Sequence, residues 1–113
     1  MEQVEIAKKY LMAFANKDIS FLEAFLEDSV ELRDWDITAL GKKEVIQANR
    51  EIFEKFDSID LEIINLFSDV DTVIIEFDLL LQNSNENIAL IVVDIISFNS
   101  ESKISEIRAF RGN

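Results

Sequence analysis

Asp94 lies inside the run Ile88-Ala89-Leu90-Ile91-Val92-Val93-Asp94-Ile95-Ile96-Ser97-Phe98, whose apolar and β-branched content predicts a buried central strand. An ionised carboxylate is costly there unless it is paired, protonated or set beside a cavity. It shares a strand face with Leu90, Val92, Ile96 and Phe98, and desolvation on that face favours a neutral carboxyl that can donate a hydrogen bond. Tyr10 is the only tyrosine of the chain, and its hydroxyl needs a partner if buried. Cysteine and histidine are both absent, which removes disulfides, thiolate nucleophiles, imidazole bases and Ser/His/Asp triads. Acid–base work falls on Asp, Glu, Tyr or Lys, and a metal site would have oxygen ligands alone. Glu76 and Asp78 share one face of their strand, but with Asp94 they make a poor cation site, and neither a metal nor a cofactor is expected.

The elements that must position these groups follow from periodicity. Val4, Ile6, Ala7, Tyr10, Leu11, Ala13 and Phe14 fall on one face of a first helix. Asn16-Lys17-Asp18 breaks it, and Asp18 is a plausible N-cap for a short second helix burying Phe21, Leu22, Phe25 and Leu26. Ser29 to Asp34 alternates as a short strand. After a loop, Gly41-Lys42-Lys43-Glu44 opens a third helix with the stripe Val45, Ile46, Asn49, Ile52, Phe53 and Phe56. Ile59 to Leu66, Thr72 to Gln82, Ile88 to Phe98 and Ile104 to Arg111 read as four strands of a meander, separated by polar turns such as Asn83-Ser84-Asn85-Glu86-Asn87. Helices followed by hairpin-connected strands predict an α+β fold with the helices on one face of a mainly antiparallel sheet. The other face would be left apolar, which predicts a homodimer through it.

The 113 residues bound the chain to one domain with one core, and an apolar share of 49% argues against disorder. Its net charge of −12, from 23 acids and 11 bases, disfavours nucleic acid and anionic membrane surfaces as partners. On the bland reading this charge is simply a solvated acidic surface, as Lys42, Lys43 and Arg50 are a solvated helix face. Met1-Glu2-Gln3-Val4-Glu5 has neither a basic nor an apolar leader pattern, and no run is long enough to span a bilayer, so the expected location is cytoplasmic.

The order of elements resembles the nuclear transport factor 2-like superfamily, and within it the SnoaL-like and ketosteroid isomerase branch. The likeness rests on Asp18-Ile19-Ser20-Phe21-Leu22-Glu23-Ala24-Phe25-Leu26-Glu27-Asp28, the Gly41-Lys42 helix opening, Val92-Val93-Asp94-Ile95-Ile96-Ser97-Phe98, and Lys103-Ile104-Ser105-Glu106-Ile107-Arg108-Ala109-Phe110. It spans nearly the whole chain. It implies a cone-shaped, cystatin-like roll, with three N-terminal helices packed on a curved sheet and one deep apolar pocket between them. Ketosteroid isomerases use a helix-1 Tyr, an Asp ending the first strand and an Asp in a late strand, which fall here on Tyr10, Asp34 and Asp94. The resemblance makes Asp34 a base on a carbon acid, and Tyr10 and Asp94 donors to the developing oxyanion.

Trp35, Phe14, Phe53 and Val92 are then candidate pocket walls. Trp35 stands where those enzymes usually have Pro, and the loop Asp36-Ile37-Thr38-Ala39-Leu40 looks shorter, so the pocket mouth differs and steroid isomerisation is not expected. Arg111 replaces an aromatic wall and suits a carboxylate-bearing ligand. The implied activity is cofactor-independent proton transfer next to a carbonyl of a small hydrophobic molecule, as an isomerase or cyclase does. The alternative is a non-catalytic small-molecule-binding or dimerisation module on the same fold. Two readings of Asp94 stay open: a pocket acid, or a structural partner of Arg108 or Arg111. Tyr10 can equally be ordinary helix core, and acids at strand ends such as Asp34 are common.

Overall fold

The computed structural model describes residues 2–113. Two helices come first, α1 (Gln3–Ala15) and α2 (Ile19–Phe25), with the Asp18 carboxylate capping α2 by accepting a hydrogen bond from Phe21 N at 3.1 Å. β1 (Leu26–Arg33) and β2 (Thr38–Leu40) form a hairpin, and α3 (Lys42–Lys55) crosses back over the sheet. The second half is the meander β3 (Ser58–Asp69), β4 (Thr72–Gln82), β5 (Asn87–Phe98) and β6 (Ile104–Arg111). The sheet runs β2-β1-β6-β5-β4-β3, and every neighbouring pair is antiparallel except β1 with β6. This is the expected α+β arrangement, three helices on one face of a mostly antiparallel sheet.

Three local expectations are corrected. Leu26 does not belong to α2: the backbone turns extended at this residue, which is fully buried as the first residue of β1 and pairs with Ile104. The segment Asp36–Leu40 is not simply a loop, because Thr38–Leu40 pairs with Glu31–Arg33. β3 runs on to Asp69, since its polar end still finds backbone partners along β4.

Alternation sorts the sheet into two faces. Val73, Ile75, Phe77, Leu79 and Leu81 of β4 and Val92, Asp94, Ile96 and Phe98 of β5 turn toward the helices and are buried. α1 contributes Ile6, Ala7, Tyr10 and Leu11 to the same core, and α3 contributes Val45, Ile46, Asn49 and Phe53. Gly41 sets the start of α3 at φ 90°, ψ 154°, a conformation open to glycine alone. Asn49 and Asp94 are the two polar or charged side chains buried among the described residues.

Candidate active site

Asp94 is opposite Ile75 on β4 and Ala109 on β6. A large side chain at position 109 would close over the carboxyl; alanine leaves space, and a cavity of about 110 Å³ opens there. Tyr10, Asp34, Asn49 and Asp94 all line it, within apolar walls that include Leu11, Phe14, Ile52, Phe77, Leu79 and Leu90. The cavity is open to the surface rather than sealed, and its dimensions are those of a small-molecule site.

Each polar group reaches the cavity for a local reason. Tyr10 lies on the buried stripe of α1, between Ala7 and Leu11 and Ala13. Only 5% of it is exposed, and its hydroxyl has no hydrogen-bond partner among the described residues. Burial first, then the charges of Asp94 and Asp34, push this hydroxyl well above the ordinary phenol range, so it stays protonated. Asp94 is likewise 5% exposed and without a protein hydrogen bond or ion pair. Burial, with the Asp34 charge second, pushes its carboxyl up to about 7. Neither polar tip is sealed in the packing, so both face the cavity.

Asp34 follows the last residue of β1 in the turn that closes the β1–β2 hairpin. Its backbone N–H donates to Ile37 O at 2.9 Å. Its Oδ1 accepts from Asp36 N at 2.8 Å and Ile37 N at 2.6 Å, an Asx turn that fixes the carboxylate and leaves Oδ2 without a protein donor. Asp34 is also the negative charge felt by Tyr10 and Asp94. The same turn raises Trp35 onto the rim, where it is 38% exposed.

The register settles the arginines. Arg108 is opposite Ile95, on the outer face of the sheet, and its Nε lies 3.6 Å from Glu106. It cannot reach Asp94. Arg111 is opposite Val92, on the inner face but beyond Ala109, and its guanidinium sits 5.9 Å from the Trp35 ring centre. No ion pair among the described residues includes Asp94. Of the walls expected from sequence, Trp35, Phe14 and Val92 line the cavity. Phe53 stands behind it, its ring 5.8 Å from that of Phe14, and Arg111 stands outside it at the rim. Glu76 and Asp78 lie on the opposite sheet face from Asp94, and Glu76 accepts from Asn65 at 2.7 Å, so the three do not form a group.

Asn49 is the pocket residue that sequence reading passed over. Its position in the apolar α3 stripe placed it inward, but a single amide among apolar residues was not read as a site. Its Nδ2 donates to Val45 O at 2.9 Å, one turn back. That bond orients the amide, since two carbonyl oxygens would repel, and leaves Oδ1 facing the cavity.

The family model described as SnoaL-like domain matches residues 7–107. No curated protein matches the chain in sequence. Among solved structures, an LEH-like epoxide hydrolase of M. tuberculosis is similar with TM-score 0.86 at 15% identity, covering 97% of this chain and 82% of that one. A protein assigned to the SnoaL-like polyketide cyclases of Shewanella denitrificans gives 0.87 at 16%, covering 97% and 90%. One assigned to the isomerases of the SnoaL-like family of Agrobacterium tumefaciens gives 0.82 at 15%, with 100% of both chains covered. At these identities the likeness is one of fold.

Proposed function

The chain belongs to the SnoaL-like domain family, in the nuclear transport factor 2-like superfamily, and we propose that its cavity carries out cofactor-independent proton transfer next to the carbonyl of a small hydrophobic molecule. One observation carries this reading. Two buried proton-bearing groups without protein partners, the Tyr10 hydroxyl and the Asp94 carboxyl, open on the same cavity as the Asp34 carboxylate. Asp34 Oδ2 takes the proton from the carbon beside the carbonyl, and the C–H electron pair moves into a carbon–carbon double bond as the carbonyl becomes an enolate. Tyr10 and neutral Asp94 donate hydrogen bonds to the enolate oxygen, where negative charge develops. Return of the proton to another carbon isomerises the ligand; attack of the enolate carbon on a second carbonyl closes a ring, the carbonyl electron pair moving to its oxygen, which takes the proton back from Asp34. A carboxylate on the ligand would meet Arg111 at the rim.

The test uses cyclohexanone in D₂O, with loss of its α-proton signal followed by NMR. The wild-type protein should exchange these protons faster than buffer, Asp34→Asn should lower the protein-dependent rate about 100-fold or more, and Tyr10→Phe should lower it roughly 100-fold. Binding without exchange would overturn the catalytic reading and leave a ligand-binding module.

A further inference from the structure

The two buried polar residues of the described chain lie on one cavity but ask for different partners. Tyr10 and neutral Asp94 are donors and call for an acceptor, which a carbonyl supplies. Asn49 adds an acceptor, because one of its two amide N–H groups is held by Val45 O while Oδ1 receives no hydrogen bond from the described residues. A simple ketone satisfies the first pair and leaves Oδ1 facing apolar surface. An acceptor deprived of a donor on ligand binding is penalised, so the site discriminates against a molecule that offers none.

We infer that Asn49 is a specificity-determining residue, and that the ligand carries a hydroxyl or N–H donor in addition to its carbonyl. Asn49 takes no part in proton transfer; it holds the ligand in one orientation, with the carbonyl toward Tyr10 and Asp94. The α3 backbone makes it a rigid reporter of ligand polarity, since its side chain is anchored one turn back. This inference rests on the carbonyl-binding reading above, and the two can fail separately.

The probes are cyclohexanone and the 2-, 3- and 4-hydroxycyclohexanones, titrated into the full chain and followed by ¹H–¹⁵N spectra that include the Asn49 side-chain amide. The expected result is that one hydroxy isomer binds roughly tenfold more tightly than the parent ketone, with a shift of the Asn49 Nδ2 signal, and that Asn49→Leu brings the ratio to about one. If the ketone and all its hydroxy isomers bind equally to wild type, the inference is overturned while the carbonyl-binding reading stands. If none of them binds, both fall. Should Asn49→Leu fail to fold, the wild-type ratio and the Nδ2 shift decide the matter alone.

Discussion

Replacing Asp94 by Asn should stabilise the protein at neutral pH and leave it unchanged in acid. The native carboxyl is pushed from 3.8 up to about 7, chiefly by burial. Between those values the folded chain holds a proton that the unfolded chain has released, so stability falls as pH rises. The slope is about 1.4 kcal/mol per pH unit. Stability from this group is intact below pH ~4, is lost through the window up to about 7, and does not change further above it. The total loss is about 4 kcal/mol, a large part of the ~5–15 kcal/mol that keeps a domain of this size folded. Asn fills the same space and never ionises. Urea unfolding of both proteins at intervals from pH 4 to 8 isolates Asp94 together with its coupling to Asp34, because the rest of the chain is common to both. The difference should be near zero at pH 4 and rise to about 4 kcal/mol above pH 7. Parallel curves, or a variant less stable than wild type at pH 7.5, would mean that Asp94 is ionised and paired, and the pocket-acid reasoning would be refuted.

Removing the charge of Asp34 should lower the Asp94 titration midpoint, seen in the carboxyl ¹³C shift of Asp34→Asn; an unmoved midpoint would show that the two acids do not sense each other. Ketone α-proton exchange by wild type should decline above about pH 7 as Asp94 ionises, and Asp94→Asn should remove that decline because its amide still donates. Arg111→Met should weaken 4-oxocyclohexanecarboxylate about tenfold and leave its methyl ester unchanged; equal effects on both would remove Arg111 from ligand binding. We propose that the outer sheet face, where Phe67, Ile91 and Phe110 are exposed, pairs with a second copy. Sedimentation should give a dimer for wild type and a monomer for Phe110→Glu; a monomeric wild type would dismiss the contact.

The elements that were legible in sequence are those whose pattern is local. β4 and β6 begin and end as alternation predicts, and α1 and α3 each extend one buried stripe. Phe25-Leu26 was ambiguous because two adjacent apolar residues satisfy both a helix end and a strand start; the choice is made by Ile104, far along the chain. The parallel β1–β6 pairing left no local mark for the same reason. The Asp94–arginine question turned on register, which shifts at Ser97/Phe98 and sends Arg108 to the outer face. An odd number of extra residues there decides which face every later β6 side chain takes. Tyr10 and Asp94 were legible as inward polar groups, yet that their tips stay free depends on Ala109 being small and on the Asp34 turn, which are properties of packing.

Unpaired polar groups offer the sharpest separation of folding from function in this chain. Burying a polar side chain is costlier than burying an apolar one unless it is hydrogen-bonded or reaches an open space, and a core chosen for stability alone would carry apolar residues at positions 49 and 94. The β4 and β5 residues around them show what such a core looks like, with Ile75, Phe77, Val92 and Ile96 filling every other inward position. Elsewhere in the described chain no polar or charged side chain is buried. The cost is therefore confined to one cavity, where Asn49 and Asp94 differ in polarity and Tyr10 completes the donor pair. A random distribution of tolerated defects has no reason to gather donors, an acceptor and a carboxylate around one space of molecular size. A ligand that satisfies all of them at once does, and by binding only the folded state it stabilises the fold.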